Sequence, residues 1–135
     1  MSELSTTASE VLAFGLERGV NLVRNSEAFV PFVVHDTAAD RRVERFIGES
    51  YEDGIARAVA HVRAAHPAEG ELLVLVYDGY LARAEGRVDA IWAELIETDG
   101  TITVRVQPYR PKALFKRFET LGDPITLPVG ERAKL

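Results

Sequence analysis

Asp78-Gly79-Tyr80 follows directly on the apolar run Leu72–Tyr77. An aspartate at the end of a buried strand has its neutral form favoured by desolvation, and a carboxyl tuned upward in this way can act as a general base. Tyr80, Asp89 and His35 are the other groups that could join it. If Glu85-Gly86 is a two-residue turn, Asp78 faces Ala93, Tyr80 faces Ile91, and Asp89 faces Ala82. Four residues of strand, at about 3.3 Å each, then separate the two carboxylates by about 13 Å. Carboxylates that work on one glycosidic bond stand roughly 5–9.5 Å apart. The plainer reading is that Asp78-Gly79 marks a bulge or strand end, with the carboxylate bonded to local backbone. No catalytic residue is assigned on this basis; Asp78, Tyr80, Asp89 and His35 stand as candidates.

The histidines predict no metal site. His61 and His66 are five residues apart on one helical segment, about 140° around the axis, whereas zinc ligands on one helix face take i, i+4 spacing. His66, before Pro67, suits the negative end of a helix dipole. There is no cysteine, which excludes disulfides, thiolate ligands and a cysteine nucleophile. No serine stands in G-x-S-x-G, no glycine-rich loop has the G-x-G-x-x-G or Walker spacing, and Glu94 is followed by Leu95-Ile96 rather than by a nuclease-type x-Lys. No cofactor is expected.

The most unusual local composition is basic. Arg105, Arg110, Lys112, Lys116 and Arg117 occur with no acid between residues 101 and 118, and Tyr109, Phe115 and Phe118 are interleaved. Cations with aromatic platforms suit single-stranded nucleic acid. The whole chain, however, carries a net charge of −5, which disfavours nucleic acid and anionic membranes. The strip is therefore expected to meet an acidic protein surface, or to pair internally with the acidic segment 67–100. No apolar run approaches the roughly 18 residues that span a bilayer. Met1-Ser2-Glu3-Leu4 has neither a basic nor an apolar leader, so a cytoplasmic protein is expected.

Regular elements must position these groups. Thr7-Ala8-Ser9-Glu10 has capping-box spacing, and apolar or small residues recur at helical spacing from Ala8 to Val23, predicting a helix that ends near Asn25-Ser26. Phe29–Val34 and Arg42–Ile47 read as a hairpin around Thr37–Asp40, with Pro31 favouring a sheet edge. Ser50 should cap a second helix whose stripe is Ile55, Val59 and Val62, stopped by His66-Pro67. Leu72–Tyr77 is apolar on both alternations, as in a central strand. Val88–Ile96 and Thr101–Gln107 follow, joined by Asp99-Gly100, for which a type I′ turn is expected.

The reading is one α+β domain over residues 1–135, with an irregular tail from about 119. Its five-stranded, mostly antiparallel sheet and two main helices follow the order α-β-β-α-β-β-β. That order resembles roadblock and profilin-like modules and, less closely, the cone-shaped nuclear-transport-factor-like fold. The likeness is of element order alone, with no sequence motif behind it, and carries no function. In the I′ register Arg105 stands opposite Glu94, and Ile91, Ala93 and Leu95 share a core face with Ile102, Val104 and Val106. The other face, with Tyr77 and Trp92, is mixed and could bind a partner. On the first helix Ala8, Gly15 and Gly19 fall within about 40° of one another. This shallow groove could pack on the chain's own sheet or on a second copy. The expected function is a self-associating protein-interaction module, whose surface would be the mixed sheet face or the first helix with Gly15 and Gly19, and whose 105–117 strip would meet an acidic partner. The other reading is a small enzyme or ligand binder with a pocket between sheet and helices.

Overall fold

Helix α1 (Thr6–Arg24) is capped by Ser5, whose hydroxyl accepts the Ala8 N–H at 3.1 Å. The cap thus lies two residues before the Thr7 expected from the capping-box spacing. In this computed structural model, which describes residues 4–127, the chain continues as a hairpin of β1 (Phe32–Asp36) and β2 (Arg41–Arg45). Ser50 then caps α2 (Tyr51–Ala64), accepting the Asp53 N–H at 3.0 Å. The strands β3 (Leu72–Arg83), β4 (Gly86–Ile96) and β5 (Ile102–Arg110) follow in a meander. Two short strands, β6 (Glu119–Thr120) and β7 (Ile125–Thr126), both pair with β5. The α+β order is as expected, but the sheet has seven strands, because part of the tail joins it. The expectations for Met1–Glu3 and for the tail beyond residue 127 lie outside the described residues.

The sheet order is β2-β1-β3-β4-β5-β6, antiparallel throughout. β3 is central, as its two-sided apolar run requires. β1 is internal, contrary to the edge position expected from Pro31. That proline precedes the strand, so its missing N–H removes nothing from the ladder, and its carbonyl accepts the Phe46 N–H at 2.8 Å.

Each face of the sheet carries one helix. Ala8, Val11, Leu12, Leu16 and Val20 of α1 pack on Val34, Val74, Val76, Ile91, Ala93 and Leu95. Ile55, Ala58 and Val62 of α2 pack on Val33, Leu73, Leu75, Tyr77, Trp92, Val104 and Val106. Tyr77 and Trp92 are therefore core residues, 0 % and 4 % exposed, and not an interaction surface. Their rings stack at 6.2 Å, and the Tyr77 hydroxyl meets the buried Glu94 carboxylate at 2.6 Å. The small-residue groove of α1 is filled from within. A Cβ on Gly15 would stand 2.9 Å from Val74 Cγ1, and one on Gly19 would stand 2.8 Å from Ile91 Cγ2. Gly15 and Gly19 thus seat α1 on its own sheet and are unavailable to a second copy. Among the described residues no helix is long and apolar enough to cross a membrane.

Two hairpins differ from the expected register. Between β4 and β5 the Glu97 N–H bonds Thr101 O, the Gly100 N–H bonds Glu97 O, and Gly100 has φ +85°. This is a three-residue loop closing on a left-handed glycine, the bulged alternative to a two-residue I′ turn. The pairing moves by one residue, and a one-residue shift exchanges the faces. Val104 stands opposite Glu94, Val106 opposite Trp92, and Arg105 opposite Ala93. Val104 and Val106 therefore join the α2 core, away from Ile91, Ala93 and Leu95, and the expected Arg105–Glu94 pair is absent. Between β3 and β4 the loop is Ala84-Glu85, giving Arg83 opposite Gly86 and a two-residue slide that preserves the faces.

Candidate functional site

That slide changes the geometry around Asp78. Asp78 stands opposite Ile91, and Asp89 opposite Tyr80 and Tyr109. The two carboxylates are diagonal neighbours on one face, roughly 7–8 Å apart at Cα, instead of the expected 13 Å. Asp78 lies where β3 has outrun β1, whose pairing stops at Phe32 opposite Val76. Its backbone would be left without a neighbouring strand there. The Tyr51 hydroxyl takes that place, accepting the Asp78 N–H and donating to Asp78 O. Burial holds the Tyr51 phenol above its ordinary range, so it remains a donor.

The Tyr109 hydroxyl donates to Asp78 Oδ1 at 2.8 Å. Burial pushes the Asp78 carboxyl up to about 6, the Tyr109 bond pulls it down, and the Asp89 charge pushes it up. The Tyr109 phenol is raised by burial and by its bond to Asp78. Tyr80 is exposed, with the Arg87 guanidinium 4.1 Å over its ring. Three of the four acid–base candidates thus come together, with Tyr109 as an unforeseen fourth member. His35 does not join them, because it projects from the α2 face. Two open grooves lie elsewhere. One is bordered by Arg18, Leu22, Val43 and Arg45, the other by Thr7, Glu71 and Asp99. Neither is lined by Asp78, Asp89 or Tyr109.

His35 belongs to a different group. The four-residue loop 37–40 puts His35 opposite Arg42 and Val33 opposite Glu44, so His35 and Glu44 are diagonal neighbours under α2. His61, in the last turn of α2, comes down beside them, its ring centroid 5.2 Å from that of His35. Sequence spacing set His61 against His66, which is exposed and takes no part.

The basic strip divides into two parts. Arg105 donates to Thr126 Oγ1 at 3.1 Å, and Arg110 pairs with Glu119 at 3.3 Å, so both tie the tail to β5. Gln107 does the same, donating to Gly122 O at 3.0 Å. Lys112, Lys116 and Arg117 are exposed and make no ion pair among the described residues, those of segment 67–100 included. They surround a tight turn closed by reciprocal backbone bonds between Ala113 and Lys116, of 3.1 and 2.9 Å. At its tip Leu114 is 82 % exposed and Phe115 96 %. Phe115 has φ +63°, a conformation that type II turns reserve for glycine or asparagine.

The chain matches no protein-family model, no curated protein and no solved structure. Its function must therefore be read from its own residues.

Proposed function

We propose that this chain is a protein-interaction module that docks on an acidic protein surface through the 112–117 turn. Leu114 and Phe115 enter an apolar recess, and Lys112, Lys116 and Arg117 meet carboxylates around it. Phe115 carries this reading. An aromatic residue that is almost wholly exposed gains nothing from folding, and a left-handed backbone at a non-glycine residue costs about 1–2 kcal/mol. Strain of that kind, held where no packing rewards it, points to use by a partner. Aromatic anchors ringed by charge are how interfaces concentrate their energy. The net charge of −5 disfavours an anionic membrane or nucleic acid as the partner.

The test is a photo-crosslinking residue at position 114, activated in the cytoplasm, the compartment this reading assigns. One discrete protein adduct is expected, with acidic residues around the crosslinked position, and it should weaken with added salt. K112E/K116E/R117E should abolish the adduct with an unchanged circular dichroism spectrum. An adduct that survives the charge reversal, or a triple variant that unfolds, would overturn the reading. Binding of the purified chain to phosphatidylserine vesicles or to a single-stranded oligonucleotide, with no protein adduct in cells, would overturn it equally.

A further inference from the structure

His35 Nε2 and His61 Nε2 are both buried, and among the described residues neither makes a well-aligned hydrogen bond, although His35 Nε2 stands within ion-pair distance of Glu44. An imidazole nitrogen removed from water without a partner is costly, and such groups in a folded protein call for an explanation. Both nitrogens are aimed at one carboxylate oxygen. His35 Nε2 stands 3.2 Å from Glu44 Oε1 and His61 Nε2 stands 3.8 Å from it, and one possible ligand atom from each of the three residues lies within 4.8 Å of the other two. In tetrahedral coordination with bonds of about 2.0–2.1 Å, two ligand atoms are about 3.3–3.4 Å apart. The observed spacings bracket that value. The 3.8 Å spacing is too long for a hydrogen bond, and the three residues are grouped closely enough for their donor atoms to share one centre.

We infer that His35, His61 and Glu44 form a binding site for a divalent transition-metal ion of the zinc class. Two imidazoles and one carboxylate are a donor set that zinc accepts with a coordination position left open. The elements that present them are well anchored. His35 and Glu44 are fixed by the β1–β2 register, and His61 by α2, whose neighbouring Val62 is in the core. The Phe46 ring, 5.1 Å from that of His61, walls one side. The Glu44 side chain, 39 % exposed, leaves the other side open to solvent. Arg42, whose Nη1 is 3.6 Å from Glu44 Oε1, competes for the carboxylate and would swing to solvent on loading.

The test uses the full chain with Zn2+ alone, followed by calorimetry and by the histidine ring signals in NMR. Saturable one-to-one binding is expected, moving the His35 and His61 signals and leaving those of His66 unmoved. Glu44→Gln and His61→Ala should each weaken binding by at least about tenfold, whereas His66→Ala should not. Absence of saturable binding, or binding that leaves the His35 and His61 signals unmoved, overturns the inference. So does unchanged affinity in both ligand variants when their spectra show them folded. If either variant fails to fold, the ring signals of the wild-type chain decide the question.

Discussion

Asp78 gives the most direct test of the hairpin geometry, because its ionisation is set by where the β3–β4 register puts it. Its carboxyl is pushed up to about 6 in the fold, chiefly by burial. In an unfolded chain the value is about 3.9. A group whose folded pKa is raised contributes stability in full below the unfolded value, and that contribution is lost as pH rises through the folded value. The loss therefore falls between about pH 4 and pH 6.5. Two pKa units correspond to about 3 kcal/mol as a ceiling. The carboxyl is only partly buried, so solvent screening reduces the expected figure to about 1–2 kcal/mol. Asp78→Asn keeps the shape and the oxygen that accepts from Tyr109, but it does not titrate. Urea unfolding of both proteins at about pH 4 and about pH 7.5 should show the variant gaining about 1–2 kcal/mol on the wild type between the two. Asp89→Asn should shift the midpoint of the wild-type pH dependence downward, since it removes the like charge. A gap between Asp78→Asn and wild type that is the same at both pH values would refute the placement of Asp78 beside Asp89 and under Tyr109.

The seat of α1 can be tested with Gly15→Leu/Gly19→Leu. Each substituent meets fully buried valine or isoleucine atoms, so the pair should lose several kcal/mol in denaturant unfolding; a stably folded variant would show that α1 packs elsewhere. Gly19→Ala should also destabilise, because overpacking of about 1–3 kcal/mol outweighs a helix-propensity gain of about 1. Gly100→Val faces no steric neighbour but has φ +85°, so strain alone should lower stability by about 1–2 kcal/mol; an unchanged denaturant midpoint would rule out the bulged loop. Phe115→Gly should leave thermal stability unchanged or raise it by up to about 1 kcal/mol, since relief of left-handed strain outweighs the entropy of glycine, while the crosslinked adduct disappears. A melting temperature that falls by several degrees would mean Phe115 supports the fold.

What was legible in the sequence and what was not divides along a physical line. Ser50 announced α2 because an N-cap is a local event, decided by one hydroxyl and the N–H three residues on. Leu72–Tyr77 announced a central strand because burial on both faces leaves a continuous apolar run. Register left a weaker mark. Asp99-Gly100 fits a two-residue turn and a three-residue bulged loop equally well, since both want a positive φ at the glycine. Thr101 does not reveal that its own N–H is taken by the Asp99 carboxylate, at 2.9 Å, which helps fix the longer loop. That one residue decided which face Val104 and Val106 occupy.

The sites inherit this sensitivity. Asp78 and Asp89 kept their face when the turn moved from Glu85-Gly86 to Ala84-Glu85, because the slide was even, but their separation fell from four residues to two. An even slide changes which groups meet, and an odd one changes whether they share a face. His35 and Glu44 meet because loop 37–40 has four residues. With three or five, one of the two side chains would turn to the α1 face. His61 then arrives from α2, at a sequence distance that no spacing rule connects to either. Its place follows only from the stripe Ile55, Ala58 and Val62, which docks α2 on the same face. A group of three side chains assembled from a hairpin and a crossing helix is thus specified by one loop parity and by the face on which the helix docks. Residue type names the donors, but the loop lengths decide whether they converge.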